Sequence, residues 1–279
     1  IVEIMLKFVS IKNCIKLMYL TRHHRIPNIE KARLFTEKIQ ERKLSPKKIY
    51  SDLSDKYLVR DYVSKIINER SLVSLLGVYN SFDEINMDLL PEKFVIKTNF
   101  GSGSEHIEIV KSKSQVNMDL VRDKFVKAIA EPYKGAVFGE MHYSKIEKKI
   151  IIEQFIETEN GDLPDYKFHC FNGRVGFVQL DFDRFSAHKR NIYNRNFEKL
   201  DCKLGFPNGD YELAQEDKLK GAIAIAENLS SDFDYVRVDL YIVRDVIYFG
   251  EFTFTPDSGF AKFSPAKFDR EFGALWRNN

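Results

Sequence analysis

Two runs of β-branched and aromatic residues near the end of the chain, Tyr235–Val243 and Val246–Thr253, leave almost no polypeptide between them. A link that short can join only antiparallel strands, because a parallel crossover needs a dozen residues or more. The reading is a hairpin turning near Arg244-Asp245, with a three-residue turn over 244–246. Asn172-Gly173 divides Tyr166–Phe171 from Arg174–Leu180 in the same way, and Asn-Gly is the strongest short hairpin signal. Lys149–Phe155 (KIIIEQF) reads as a further strand. Phe94–Lys97 and His106–Val110 read as two short strands joined by the loop 98–105. Helical texture lies elsewhere: a charged, helix-prone stretch from Pro27 to Lys48, a helix over Asp55–Ile67 capped by Ser54, a polar stretch over Met118–Lys134, and Gln215–Leu229 with Leu219, Ile223 and Ala226 on one face. Helices first, then hairpins mixed with helices, predict an α+β fold and not a doubly wound parallel sheet.

Composition narrows the function. Among 279 residues, 43 Lys and Arg face 41 Asp and Glu, so the net charge of +2 lacks the cationic excess of a general nucleic-acid binder. Cys14, Cys170 and Cys202 are far apart, with no Cys-x-x-Cys, which excludes a zinc ribbon or a disulfide framework and fits a reducing cytoplasm. Residues 1–20 are apolar, but Glu3, Lys7, Lys12 and Lys16 break the run, so it predicts neither a spanning helix nor a secretory signal. Ile4, Phe8, Ile11, Ile15 and Met18 recur at helical spacing and predict one amphipathic helix, packed on the protein or lying on an anionic membrane surface.

Several residues carry potential chemistry. In the predicted hairpin, Asp239 falls opposite Glu251, which brings their carboxylates to one face within about 5–6 Å at Cβ. Like charges so placed repel unless a cation lies between them, and hard oxygen donors suit Mg²⁺. Arg237 shares that face and suits a phosphate or oxyanion. Gly101-Ser102-Gly103-Ser104 follows the strand carrying Lys97, so its backbone N–H groups and hydroxyls can approach phosphate oxygens. It is neither a P-loop nor a dinucleotide fingerprint, because G-x-x-x-x-G-K-[ST] is missing and a strand follows where a helix should. Lys56 and Arg60 stand one helical turn apart and would add to an anion site. Glu153-Gln154-Phe155-Ile156 ends an apolar strand and offers backbone hydrogen bonds.

Taken in order, these pieces resemble the ATP-grasp superfamily, and more narrowly its TupA-like family of bacterial surface-polysaccharide gene clusters. The resemblance runs from about Pro27 to Phe272 through FTEKIQERKL (35–44), SDKYLVRDYV (54–63), LPEKFVIKTNFGSGS (90–104), IIIEQFIE (150–157), DYKFHCFNG (165–173), DRF (183–185), DYVRVDLY (234–241) and IYFGEFTFTPDSGF (247–260). It implies an ATP-grasp fold with a helical N-terminal region (1–89), a small α+β lid (90–156) and a C-terminal antiparallel-sheet catalytic subdomain (157–279). ATP would lie between the last two.

By that resemblance Lys56 and Lys97 hold α- and β-phosphates, and Gly101, Ser102, Gly103 and Ser104 form the lid loop. Glu153, Gln154, Phe155 and Ile156 form the adenine hinge, with Glu157 or Asp165 near the ribose. Lys167 faces the phosphates, Asp239, Glu251 and Thr253 take the Mg²⁺ positions, and Arg237 stabilises the transferring group. Thr253 stands where many members have Asn. Tyr57, Arg184, Tyr193 and Arg195 are candidates to line an acceptor cleft. The implied reaction joins a sugar carboxylate, on a polysaccharide precursor or small molecule, to an amino acid or amine through an acyl phosphate. Three alternatives stay open: a sugar kinase, a glycosyltransferase using Asp181-Phe182-Asp183, and a non-catalytic nucleotide- or glycan-binding module.

Overall fold

A computed structural model describes residues 10–101, 103–158, 163–184 and 186–277. Its centre is a five-stranded antiparallel sheet in the order β10-β9-β5-β6-β7, made of Val246–Thr253, Tyr235–Val243, Asp165–Phe171, Arg174–Phe182 and Lys189–Asn194. The β5–β6 turn is Asn172-Gly173 with both residues at positive φ, 49° and 74°, as a two-residue hairpin of matching twist requires. Alternation along the strands gives this sheet two unlike faces. Tyr166, Phe168, Val178, Leu180, Val238 and Leu240 point to one side and are covered by the helix Glu216–Ser230, through Leu219, Ala222, Ile223, Ala226 and Leu229. On the other side stand Asp165, Lys167, Gln179, Asp181, Arg190, Arg237, Asp239 and Glu251, sharing a face by register.

One end of this polar face is sealed by aromatic side chains. Phe35, from the helix α2 (Phe35–Leu44, after α1, Ile11–His23), packs with Phe171, Phe177, Tyr235, Phe263, Phe272 and Trp276. Tyr50, Leu53, Val59 and Val63 from the next two helices, α3 (Lys48–Ser54) and α4 (Val59–Ser64), join the core on the opposite face. The N-terminal helices are therefore built into the body that carries the large sheet.

A second, four-stranded sheet has the order β1-β4-β2-β3, from Leu75–Tyr79, Ile150–Gln154, Phe94–Thr98 and Ile107–Val110. Phe94, Ile96, Ile150 and Ile152 pack on Val121 and Phe125 of α5 (Met118–Ala130). Lys97, Val95, Ile151 and Glu153 share the other face by register. Strand β1 has no counterpart in the sequence reading. It pairs with β4, so this sheet reaches back beyond the boundary expected at residue 90.

Two local expectations are corrected. The helix expected over Asp55–Ile67 is broken: Ser54 ends α3, and α4 begins only at Val59. Asp55 causes the break, because its Oδ1 accepts from the backbone N–H of Tyr57 (2.8 Å) and Leu58 (3.2 Å), an alternative to continuing the helix. The hairpin turn is also different. Val243 pairs with Val246, so the loop has two residues, not three, and an irregularity between Phe249 and Glu251 inserts Gly250 as a bulge. The extra residue moved from turn to strand, and Asp239 still faces Glu251.

At the N-terminus, Ile4 and Phe8 lie outside the described residues. In α1, Cys14, Ile15 and Tyr19 are buried, while Leu17 and Leu20 are exposed. No helix among the described residues is long and apolar enough to cross a membrane. Cys14, Cys170 and Cys202 are all buried.

Candidate active site

The bulge at Gly250 decides what the polar face carries. Phe249 and Phe252 both belong to the helix-covered core. Without the bulge, with Gly250 paired like any other strand residue, period-2 alternation would put Glu251 on the same side as Phe249. With it, Glu251 lies opposite Asp239, which lies opposite Lys167.

These groups form one ion network. Arg237 donates from Nε to Asp239 Oδ1 and from Nη2 to Asp239 Oδ2, both at 2.7 Å. Its Nη2 also donates to Thr253 Oγ1 at 2.9 Å and lies 3.5 Å from Glu251 Oε1. Lys167 donates to Asp239 Oδ2 (2.7 Å) and Asp165 Oδ2 (2.6 Å), and Arg184 donates to the same Asp165 oxygen at 2.6 Å. Lys56 sits 3.3 Å from Glu251 Oε2 and donates to the carbonyl of Gly101 at 2.8 Å. The glycine-serine loop and the hairpin carboxylates, 150 residues apart in the chain, thus meet through one ammonium. Asp165 Oδ1 is buried and has no hydrogen-bond partner among the described residues.

Burial and opposite charges compete at Glu251, Lys167 and Asp239. For Glu251 burial pushes the carboxyl up, but Lys56, Arg237 and Lys167 outweigh it and bring it down from 4.5 to about 2. Burial would lower Lys167, yet Asp165 and Asp239 hold it above its ordinary value. Asp239 is pushed up by burial against the pull of Arg237 and Lys167.

The donor set fits a magnesium nucleotide. Lys56, Lys167, Arg184 and Arg237 are interleaved with Asp165, Asp239 and Glu251. A ligand that brings both phosphate anions and a divalent cation lets each ion pair exchange partners, so no buried charge is stranded. Asp239 and Glu251 supply the hard oxygens that Mg²⁺ takes, and the hydroxyl of Thr253 is within reach of Glu251 (3.4 Å).

Other expected residues are placed differently. Lys97 donates to Glu153 Oε2 at 2.6 Å, and Arg60 lies 3.5 Å from Glu153 Oε1, which makes a second ion cluster on the inner face of the lid sheet. Lys56 and Arg60 do not share a helix face, since Lys56 stands in the turn before α4. Within the hinge segment, Gln154 donates its N–H to Ser74 O, and Phe155 and Ile156 are half-buried. Glu157 pairs with Lys93 on the surface, and Asp165, expected near the ribose, is held instead by Lys167 and Arg184. Gly101, Gly103 and Ser104 are described, whereas Ser102 lies outside the described residues. Two acceptor-cleft candidates are ruled out by strand parity: Tyr193 is buried in the helix-covered core, and Arg195 pairs with Glu227 of the covering helix. Tyr57 is partly exposed beside Lys56 in the turn. Asp181 is held by Arg190 in a two-bonded pair at 2.6 and 3.0 Å, which leaves Asp181-Phe182-Asp183 ill-suited to a nucleotide-sugar metal.

Sequence reasoning missed the wall beyond Thr253. Asp257, Ser258 and Gly259 all have positive φ (48°, 51° and 67°), a costly backbone for the first two. Buried groups hold it: Glu140 accepts from Thr255 Oγ1, and Lys43 and Gln40 donate to Ser258 O at 2.9 and 3.0 Å. The Pro-Asp-Ser-Gly run signals a turn, but nothing local signals Glu140, which is more than 100 residues away.

The decisive comparison is with protein families: a model described as TupA-like ATPgrasp matches residues 37–277. The chain belongs to the TupA-like ATP-grasp family. Among solved structures, this TupA-like ATP-grasp chain is similar to D-alanine-D-alanine ligase from Helicobacter pylori, with 17% identity, a TM-score of 0.44, and 81% of this chain covering 61% of that one. It is also similar to L-amino acid ligase from Bacillus licheniformis, with 14% identity, a TM-score of 0.44, and coverage of 80% and 46%. A D-alanine-D-alanine ligase from Bacillus anthracis complexed with ATP matches at 14% identity and a TM-score of 0.40, with 74% and 55% covered. The chain thus spans about half to three-fifths of the length of these structures. A comparison with curated proteins gives no match.

Proposed function

We propose that this protein is an ATP- and Mg²⁺-dependent ligase that joins a carboxylate to an amine. The observation that carries the reading is the facing pair Asp239 and Glu251, sharing one sheet face with Lys167 and Arg237 and met there by Lys56 from the turn before α4. Bound Mg²⁺, on Asp239 and Glu251 with Thr253 beside them, would supply charge neutralisation for the phosphates. Lys56, Lys97 and Lys167 bind the polyphosphate, and the segment 153–156 receives the adenine. Gly101 to Ser104 cover the phosphates and exclude water.

The chemistry follows from the groups. A carboxylate is a poor acyl donor, because its oxygen would have to leave as oxide. Attack of the substrate carboxylate on the terminal phosphorus of ATP breaks the bond to ADP and makes an acyl phosphate. The amine nitrogen then forms the C–N bond, phosphate leaves, and the amine proton passes to solvent or phosphate. Arg237, which donates two bonds to Asp239, stabilises the developing oxyanion in this reading. Arg184 borders the acceptor side.

The substrate is narrower still by family resemblance: a uronic-acid or similar sugar carboxylate of a surface-polysaccharide precursor and an amino acid or amine, in the cytoplasm. Residues 1–20 are proposed to touch the inner membrane face, where Leu17 and Leu20 are exposed beside Lys16. Liposome co-sedimentation unchanged by their deletion would dismiss that contact. For the reaction, purified protein with Mg²⁺-ATP should release ADP and phosphate only when a sugar carboxylate and an amine are both present. A stable phosphorylated sugar would show a kinase instead, and no nucleotide-induced thermal shift at millimolar Mg²⁺-ATP would show a non-catalytic module.

A further inference from the structure

The glycine-serine loop is held from inside by a residue with no role in the site described above. His106 closes the loop at its far end, in a short turn (Ser104–His106) just before β3. Its Nδ1 lies 2.9 Å from Thr98 Oγ1, at the end of β2. The same hydroxyl oxygen accepts the backbone N–H of Gly101 at 3.2 Å. The imidazole also lies so close to Gly101 that a Cβ there would meet the ring at 2.1 Å. Phe100 packs edge-on against the ring, with centroids 5.4 Å apart. Only a glycine fits at 101 because His106 fills the space a side chain would need. On its other side, Gly101 offers its carbonyl to Lys56, which reaches Glu251.

We propose that His106 is the positioning residue of the lid loop: it sets the path of the backbone at Gly101 and, through the Gly101 carbonyl, the place of Lys56 above the hairpin carboxylates. This rests on the ligase reading only in requiring a nucleotide site between loop and hairpin. An arriving phosphate must draw Lys56 away from Gly101 O or Glu251, and a loop held only by Lys56 would then lose its anchor. The Thr98–His106 contact is independent of Lys56, so the loop keeps its path while the lysine changes partner.

The test is the affinity of the full chain for Mg²⁺ with a non-hydrolysable ATP analogue, by calorimetry. His106→Ala should weaken binding about 10-fold, the scale of one structured hydrogen bond and its packing. His106→Asn, which keeps an acceptor near Nδ1, should recover most of the loss. Thr98→Val, nearly isosteric, should weaken binding as His106→Ala does and serves if the alanine variant folds poorly. Gly101→Ala should also weaken binding, and His106→Ala/Gly101→Ala should fall short of the product of the two single losses, because removing the ring removes the clash. Wild-type affinity in both His106→Ala and Thr98→Val overturns the proposal, as does failure of His106→Asn to recover binding. If the wild type itself binds no nucleotide, the ligase reading falls and takes this inference with it; binding by the wild type with unchanged variants removes the inference alone.

Discussion

Glu251 is the residue at which charge, register and function meet. Its carboxyl is ordinary at 4.5 when unfolded and about 2 when folded, since three nearby cations outweigh its burial. A depressed acid stabilises the fold fully above its unfolded value, and that contribution is lost as pH falls through the folded value. Wild type should therefore lose more stability than Glu251→Gln between about pH 5 and about pH 3, read as the shift in urea midpoint of each. Equal shifts would show that the cations do not hold this carboxylate. Asp239→Asn leaves Arg237 and Lys167 with a weaker common partner. It should abolish turnover and Mg²⁺-ATP binding while far-ultraviolet dichroism stays native; full activity would remove Asp239 from the metal assignment. At this scale the sequence was legible where chemistry repeats at spacing two, as in Arg237 and Asp239. It was silent on Glu140 and His106, and on the Lys167 and Arg184 partners of Asp165, because these are set by tertiary contacts and not by neighbours in the chain.

The β9–β10 hairpin shows how an element can reach the expected register by an unexpected route. A two-residue turn alone would have placed Glu251 among the core phenylalanines, and the Gly250 bulge corrects the parity. Deleting Gly250 should remove the bulge and leave Glu251 directly after Phe249, still opposite Asp239, so nucleotide binding should survive; a deletion variant that folds but no longer binds would refute the register argument. Gly173 is a milder case. It has φ of 74°, and a Cβ there would lie 3.2 Å from the Ser231 backbone, so Gly173→Ala should cost about 1 kcal/mol or more in chemical denaturation. Hairpins with tight turns were legible because their signal is local. Strand β1 was not, because Leu75–Tyr79 finds its partner β4 some 70 residues later and carries no alternating pattern of its own. The helix broken at Asp55 was misread for the opposite reason: a strong local periodicity yields to one side chain that caps the following turn.

The whole molecule depends on packing between parts that are distant in the chain. Phe35 touches residues of β5, β6, β9 and the C-terminal segment. Phe35→Ala should destabilise the fold by about 3–5 kcal/mol, with a single melting transition if the N-terminal helices and the large sheet unfold together. Two separate transitions would show that the helices are an independent unit. This union places Lys56, in the turn before α4, against the hairpin, and the lid sheet brings Gly101 to the same lysine. The account therefore makes one spatial claim: loop, lysine and hairpin carboxylates enclose a single magnesium-polyphosphate site. A crystal structure of the protein with Mg²⁺ and a non-hydrolysable ATP analogue tests it most directly. The account predicts the metal on Asp239 and Glu251, phosphates on Lys56, Lys97 and Lys167, and Gly101 to Ser104 folded over them. Nucleotide bound elsewhere, with the Arg237–Asp239 and Lys56–Glu251 pairs undisturbed, would contradict it.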